Sequence, residues 1–214
     1  GSCTMQKSTV QVNDKGTEWE WNKGTIVVKT PERPAGQESV IGLALPKMEV
    51  VRVGFVGLGM RGPGAVSRFT YIPGTQIVAL CDYEKERAEK CQKYLKEASL
   101  PKAAVYSGDK GYEELCKRDD IDLVYIATPH SHHAEHAKLC LNAGKPVLVE
   151  KAFSYNAATT EEVLNLAKEK NLFCGEAMWI RFMPMYRLMA EYIQKGAIGR
   201  VNNITCSLGY SLLR

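Results

Sequence analysis

The chain has 214 residues, of which 45% are hydrophobic and 24% charged, with a formal net charge of +4. This is an ordinary composition for a globular protein, and so small a charge, with basic and acidic residues alternating, predicts no nucleic-acid partner. No apolar run reaches the roughly 20 residues that a bilayer crossing requires, so we predict no transmembrane segment.

The first residues allow two interpretations of localisation. In one, Cys3 is the lipidated first residue of a mature lipoprotein and residues 4–15 are a polar tether, so the protein is periplasmic or membrane-anchored. In the other, Gly1 and Ser2 are a cloning remnant before a shortened start, and the protein is cytoplasmic. Both interpretations stay open at this point.

An N-terminal arm is predicted over residues 1–48. Residues 17–29 have the pattern of a β-hairpin, because tryptophans alternate with glutamates before an Asn22-Lys23-Gly24 turn and a β-branched run. The prolines and glycine within residues 30–47 favour a linker. The arm therefore precedes the main domain as a hairpin followed by an extended segment.

From residue 49 the pattern changes to strands that alternate with helices. Six strands are predicted, over residues 50–56, 75–81, 103–106, 123–127, 147–150 and 173–177. A helix is predicted directly after the first strand, and further helices over residues 83–98, 112–117, 133–142 and 156–170. Because right-handed crossovers leave few alternatives, this order predicts an α/β fold, a doubly wound parallel Rossmann sheet spanning residues 49–177.

Residues 178–214 add one predicted helix, over 185–195, and one predicted strand, over 201–208. A single helix and strand cannot bury a core of their own. We therefore expect them either to pack on the Rossmann domain or to begin a second α/β domain that is incomplete in this sequence.

The first strand leads into Gly57-Leu58-Gly59-Met60-Arg61-Gly62, a GxGxxG sequence that opens a predicted helix. In this setting Gly57 permits the tight turn, Gly59 lets the backbone approach a pyrophosphate, and Gly62 lets the helix lie close to the strand. The free amides at the helix N-terminus would hold the phosphate charge. The segment, including Met60 and Arg61, is predicted to bind a dinucleotide.

Asp82 ends the second strand about 20 residues after Gly62, the spacing at which a carboxylate meets the adenosine ribose hydroxyls. The adjacent Tyr83 is included in this predicted site. Because a carboxylate would repel a 2′-phosphate, we predict NAD as the cofactor in preference to NADP. Arg61 and Arg87 lie near enough in the sequence to weaken that preference.

Two further loops follow later strands, at the edge where α/β proteins bind ligands. They are residues 127–133, Ala-Thr-Pro-His-Ser-His-His, and residues 149–152, Val-Glu-Lys-Ala. With the Ala-Gly-Lys-Pro-Val-Leu run between them, these motifs resemble the Gfo/Idh/MocA oxidoreductase family, from about Val51 to Tyr210. Residues 176–184 resemble its dihydrodiol dehydrogenase-like branch, in which alanine also follows the Glu-Lys pair.

The resemblance implies that Lys151 is the catalytic lysine. It would exchange a proton with a substrate hydroxyl while hydride moves to or from the nicotinamide. Glu150 would bind the nicotinamide-side ribose or orient Lys151. The other implied cofactor contacts line the nicotinamide half of the cleft or close over it: Ala127, Thr128, Pro129, His133, Trp179 and Arg181.

The first half of the chain is similar to another branch of the same superfamily. Pro46-Lys47, the glycine loop and Cys81-Asp82-Tyr83 resemble NAD-dependent α-N-acetylgalactosaminidases, which hydrolyse glycosides while a bound NAD passes hydride out and back. Three functions stay open: a dehydrogenase for a hydroxyl of a sugar, polyol or diol, such a glycosidase, and a non-catalytic NAD sensor. An intact Lys151 argues against the sensor.

The family's second α/β domain packs on the cofactor and dimerises. The resemblance therefore implies a homo-oligomer once that domain is complete, and it implies that these 214 residues bind dinucleotide with little or no turnover.

We predict no metal site, because His132, His133 and His136 are suitably spaced but no cysteine or carboxylate completes a zinc set. Most of the seven cysteines lie in apolar segments and none forms a CxxC pair. We therefore interpret them as small buried hydrophobes in a reduced protein.

Overall fold

The computed structural model describes residues 46–207 and 209, and the backbone of residues 11–12, 18–22 and 25–28. The chain divides into two compact units, residues 1–45 and residues 46–214. In the first unit, three strands pair in the order β1-β2-β3 and run antiparallel: β1 (Gln11–Val12), β2 (Glu18–Asn22) and β3 (Thr25–Val28).

The hairpin predicted over residues 17–29 is confirmed, since β2 pairs with β3 from Trp19 opposite Val28 to Asn22 opposite Thr25. The β1 strand was not predicted, because two residues are too few to produce an alternating pattern. Cys3 lies outside the described residues, and so does the lipoprotein interpretation that depends on it. Residues 30–45 of the predicted linker also lie outside them.

The second unit contains a six-stranded sheet in which every pairing is parallel. Its strands are β4 (Val51–Val56), β5 (Thr75–Asp82), β6 (Ala104–Ser107), β7 (Leu123–Ile126), β8 (Val147–Val149) and β9 (Cys174–Glu176). Their spatial order is β6-β5-β4-β7-β8-β9. The order reverses between β4 and β7, which is where doubly wound sheets bind ligands. The predicted α/β fold is thus confirmed.

Five helices connect these strands: α1 (Gly62–Phe69), α2 (Lys85–Glu97), α3 (Gly111–Cys116), α4 (His133–Asn142) and α5 (Ala157–Glu169). Helices α1 and α2 share one buried cluster with the sheet, and α3, α4 and α5 share the other. Each predicted helix and strand of this domain lies within two residues of its observed bounds. The sheet is therefore covered on both faces, as its nearly continuous apolar strands require.

The first strand of the sheet distributes its side chains between both clusters. Val53 and Phe55 point toward α1 and α2, where Phe55 packs against Phe69 and Tyr125 at ring-centroid distances of 5.2 and 5.3 Å. Val56 belongs to the cluster on the opposite face. Such two-sided burial explains why this strand reads as an apolar run instead of an alternating one.

A paired charge joins β4 to the chain before β7, at the edge away from the glycine loop. Arg52 donates from Nε and Nη2 to the two carboxylate oxygens of Asp122, at 2.8 and 2.7 Å. The Arg52 hydrogen bonds hold the pKa of Asp122 below its usual range. The interaction fixes the register of the two strands whose opposite ends form the site.

After β9 a short 3-10 helix (Trp179–Phe182) leads to α6 (Pro184–Gln194), which confirms the helix predicted over residues 185–195. The strand predicted over residues 201–208 is wrong for residues 201–207, which form no strand, and Leu208 lies outside the described residues. These residues are exposed and have no neighbouring strand among the described ones, so their β-branched side chains have no ladder to join. None of the described helices has the length and apolarity that a bilayer crossing requires.

Candidate functional site

The glycine loop between β4 and α1 is held in one conformation by close backbone contacts. Gly57 has a φ of +93°, and a Cβ on it would lie 2.5 Å from the Thr128 nitrogen. A Cβ on Gly62 would lie 2.0 Å from the Gly57 carbonyl oxygen. By contrast, a Cβ on Gly59 would meet nothing within 4 Å. Two of the three glycines are thus required by the fold itself, and only Gly59 leaves open space.

Asp82 joins this loop to the end of β5. The buried carboxylate accepts hydrogen bonds from the Leu58 amide at 2.6 Å and from the Glu84 amide at 3.0 Å. Arg87 lies 3.4 Å away, measured from Nη1 to Oδ1. Asp82 therefore positions the glycine loop as well as facing the site.

A cavity of about 910 Å³ opens at the carboxyl ends of the parallel strands. Ten predicted site residues line it: Gly57, Gly59, Met60, Arg61, Asp82, Tyr83, Ala127, Thr128, Pro129 and Lys151. They lie at or just after the carboxyl ends of β4, β5, β7 and β8, so residues from four strand ends meet in one space. The volume is within the range of about 300–1,000 Å³ typical of small-molecule sites.

Five other predicted residues are not among those that line the cavity: Gly62, His133, Glu150, Trp179 and Arg181. Gly62 begins α1, behind the loop. Trp179 and Arg181 lie on the 3-10 helix after β9, where the Trp179 side chain is 67% exposed. Closure of these two residues over a cofactor stays a prediction.

Lys151 lines the cavity, and Glu150, the residue before it, contacts its backbone from the buried side. Glu150 is buried, and its carboxylate accepts a hydrogen bond from the Tyr125 hydroxyl at 2.7 Å and from the Lys151 amide at 3.2 Å. Burial and the bond to Glu150 raise the pKa of Tyr125, so its hydroxyl remains a donor. Of the two roles predicted for Glu150, this arrangement favours orienting Lys151.

His133 lies between the loop after β7 and the loop after β8, on the side of the cavity where the nicotinamide is predicted to bind. Its ring is 1% exposed, with Nδ1 2.8 Å from the Ala152 carbonyl oxygen and Nε2 2.8 Å from the Thr128 carbonyl oxygen. His130 Nε2 lies 3.1 Å from the Lys151 carbonyl oxygen, and the Tyr155 hydroxyl donates to Ser131. The residues after β7 and those after β8 are thereby tied together.

Ten of the residues that line the cavity were not predicted from the sequence. They lie at the ends of β4 and β5, in α2, in the turn after β6, in α3, and in or just before α4: Val56, Cys81, Arg87, Gly108, Asp109, Tyr112, His130, His132, Glu135 and His136. His132 and His136 were considered only as metal ligands, and Arg87 only for its charge. The turn after β6 could have been found, because the carboxyl ends of all parallel strands share one edge. The helix side chains could not, since their direction depends on how α3 and α4 pack.

His136 is a buried polar side chain on the side of the cavity formed by α3 and α4. Its Nδ1 lies 3.0 Å from the Thr128 hydroxyl, and its ring lies 4.5 Å from the Tyr112 ring. Burial, and then the neighbouring His132, lower the pKa of His136 to about 4. The ring is therefore neutral at pH 7 and presents no charge to a ligand.

This titration predicts a pH-dependent stability. The pKa of His136 is about 4 in the folded protein and near 6.5 in the unfolded chain, so the unfolded chain binds the proton first. Stability must then fall as pH drops from about 6.5 toward 4, by about 2 kcal/mol between pH 7 and pH 5. Urea unfolding of wild type and His136→Gln at pH 7, 6 and 5 measures it. We expect the variant to lose less stability over this interval; identical losses would contradict the assignment.

The residues present fit a dinucleotide. Gly59 leaves backbone open to the space where a pyrophosphate would approach, and Arg61, the N-cap residue of α1, offers no side-chain acceptor to the amides at that helix end. The first amides of a helix need such a partner or a ligand. Asp82 and Lys151 lie on the same cavity. A nicotinamide dinucleotide would be held by these groups.

Curated relatives with high sequence identity are glycosyl hydrolases by name. The chain is 65% identical over 202 residues to glycosyl hydrolase family 109 protein 4 of Phocaeicola vulgatus, covering 94% of this chain and 39% of that protein. It is 53% identical over 180 residues to glycosyl hydrolase family 109 protein 1 of Bacteroides thetaiotaomicron, covering 84% and 38%. The chain thus spans about two fifths of the length of these relatives.

Among solved structures, the fold is similar to KijD10, a 3-ketoreductase from Actinomadura kijaniata. A variant in complex with TDP-benzene and NADP matches with a TM-score of 0.61 and 27% identity, covering 71% of this chain and 46% of that chain. Residues 51–177 match the family model of the Gfo/Idh/MocA oxidoreductases, whose description is an oxidoreductase family with an NAD-binding Rossmann fold. The match extends over more than half of the sequence, and the chain therefore belongs to the Gfo/Idh/MocA oxidoreductase family.

Proposed function

We propose that the protein is a nicotinamide-dependent glycoside hydrolase, with an N-acetylgalactosaminide as substrate. The observation that carries the proposal is the placement of Lys151 on the same cavity as the glycine loop and Asp82. Support for a glycoside comes from relatives named as family 109 glycosyl hydrolases, at up to 65% identity. In such a reaction the cofactor ends in the state in which it began.

A bound nicotinamide dinucleotide would take a hydride from a sugar carbon and return it. The chain's own groups then have separate tasks. The amides of the glycine loop and the start of α1 bind phosphate, and Asp82 binds ribose hydroxyls. Lys151 exchanges a proton with the sugar hydroxyl on the carbon that loses hydride. Glu150 keeps the Lys151 backbone in place through the 3.2 Å bond to its amide.

We propose NAD in preference to NADP as the cofactor. The support is the Asp82 carboxylate, which lines the cavity and would repel a 2′-phosphate. Arg61 and Arg87 line the same cavity and favour a phosphate, and the 3-ketoreductase neighbour was solved with NADP. Titration with both dinucleotides decides between them.

A second candidate is a dehydrogenase for a hydroxyl of a sugar, polyol or diol. It is favoured by the Glu150-Lys151 pair, which resembles that of the dehydrogenases, and by the similarity to a 3-ketoreductase. Both candidates use the same first step, hydride removal from a carbon that bears a hydroxyl. They differ in whether the hydride is returned.

The test measures two products with the protein at the length its gene encodes. A glycoside hydrolase should release the aryl group from an aryl N-acetylgalactosaminide without net NADH, whereas a dehydrogenase should form NADH from sugars or polyols. Lys151→Met should still bind NAD through the glycine loop and Asp82 but lose activity by about 100-fold or more, because the proton acceptor is removed. Lys102→Met, at an exposed lysine away from the cavity, is the matched control. Neither product from a protein that binds NAD would contradict both candidates.

A further inference from the structure

Two buried cysteines meet directly beneath the side of the cavity formed by α3 and α4. The Sγ atoms of Cys116, at the end of α3, and Cys140, in α4, lie 3.3 Å apart. Cys116 is 4% exposed and Cys140 is 0% exposed. A contact this short brings two thiols from different helices into position to react with each other.

The two thiols have unequal acidity. The hydrogen bond shared with Cys140, and the positive charge of Lys145, lower the pKa of Cys116 against the effect of burial. The same hydrogen bond and burial raise the pKa of Cys140. Cys91, a buried residue of α2, has its pKa raised by burial to about 11. Cys116 is also the less completely buried of the two, at 4% against 0% exposure, so a peroxide meets it first, and Cys140 is placed to resolve its oxidised form.

We propose that Cys116 and Cys140 form an oxidation site that a peroxide converts into a disulfide. The Cys116 thiolate attacks one peroxide oxygen and becomes a sulfenic acid, while the other oxygen leaves as water after protonation. The Cys140 sulfur then attacks the Cys116 sulfur, and the sulfenic oxygen leaves as a second water. Two thiols lose two protons and two electrons in all, and one hydrogen peroxide takes them up and is reduced to two waters.

The bond would act on the cavity through the two helices that carry it. Tyr112 on α3 and His136 on α4 both line the cavity, with their rings 4.5 Å apart. A disulfide has a sulfur–sulfur distance of about 2.05 Å, so the two sulfurs must approach by about 1.2 Å, and the helices that carry them move by up to that amount. Because interiors are close-packed, this shift must move the rings as well. We therefore expect the oxidised protein to bind dinucleotide more weakly.

The experiment uses the 214-residue chain and hydrogen peroxide. After oxidation, alkylation and digestion without reductant, mass spectrometry should find the Cys116 and Cys140 peptides joined, with two hydrogens lost. Reduction with dithiothreitol should separate them. NAD titration should give a dissociation constant about fivefold higher for the oxidised protein, restored on reduction. Neither the joined peptides nor the NAD dissociation constant depends on glycosidase activity, so this proposal can fail while the proposed function stands, and the reverse.

Cys116→Ser and Cys91→Ser form the matched pair of variants. The first should bind NAD equally well with and without peroxide, and the second should respond like the wild type. Separate Cys116 and Cys140 peptides after peroxide treatment of the wild type would overturn the proposal, whether or not the variants fold. A joined pair with an unchanged dissociation constant would overturn the link to the cavity.

Discussion

Gly62→Ala is expected to destabilise the protein by about 3 kcal/mol or more, whether or not a dinucleotide is present. The new Cβ would lie 2.0 Å from the Gly57 carbonyl oxygen and 2.9 Å from its carbon, both backbone atoms that no rotamer change can move. Helix α1 would have to lift from the end of β4. Since domains are stable by about 5–15 kcal/mol, the loss should be plain in urea unfolding.

Gly59→Ala is the matched control on the same loop. Its Cβ meets nothing within 4 Å, so the variant should unfold at the same urea concentration as the wild type. Yet the methyl group occupies space that a pyrophosphate needs, and NAD affinity should fall about tenfold or more. A Gly62→Ala variant as stable as the wild type would show that the loop geometry is wrong. Unchanged NAD affinity in Gly59→Ala would remove the loop from the binding site.

Asp82→Ala is expected to weaken NAD binding on the order of 100-fold, since the ribose hydroxyls lose a charged acceptor. The change should also lower stability by about 1–3 kcal/mol, because the Leu58 and Glu84 amides lose their shared partner. Calorimetric titration with NAD and with NADP, at a temperature where the variant is folded, measures the first effect. NADP affinity should fall less, because the carboxylate that repels its 2′-phosphate is gone.

Asp119→Ala is the control for the aspartate, since Asp119 is exposed and does not line the cavity. It should bind both dinucleotides as the wild type does. Equal NAD affinity in Asp82→Ala and Asp119→Ala would remove Asp82 from the site. It would also remove the main support for NAD over NADP.

Local sequence patterns were sufficient to predict the sheet, because each strand and helix is set by apolar spacing and by glycine or proline at its ends. Thus α4 was predicted over its observed residues, His133–Asn142. The pattern failed at residues 201–207, since β-branched residues favour a strand only where another strand is available to pair. Strand β1 was also not predicted, because two residues are too few to show an alternating pattern.

The candidate site was predictable where it follows from the ends of strands, as for Gly57, Asp82 and Lys151. It was not predictable where helices pack against one another. Tyr112 and His136 are far apart in sequence, and only the packing of α3 on α4 brings their rings together. The sequence also could not reveal that Glu150 faces Tyr125 instead of the cavity, because a residue at a strand end can face either side.

The position of the His133 ring has a consequence for how the two halves of the cavity respond to a ligand. Since this buried ring lies 2.8 Å from the carbonyl oxygens of both Thr128 and Ala152, a displacement of either loop must also displace the ring packed between them. A cofactor that presses on Thr128 therefore also sets the position of Lys151, without touching the lysine. If Lys151 transfers the proton as proposed, its position depends on how well the cofactor fits, and a ligand that occupies the site imperfectly is expected to misplace the lysine.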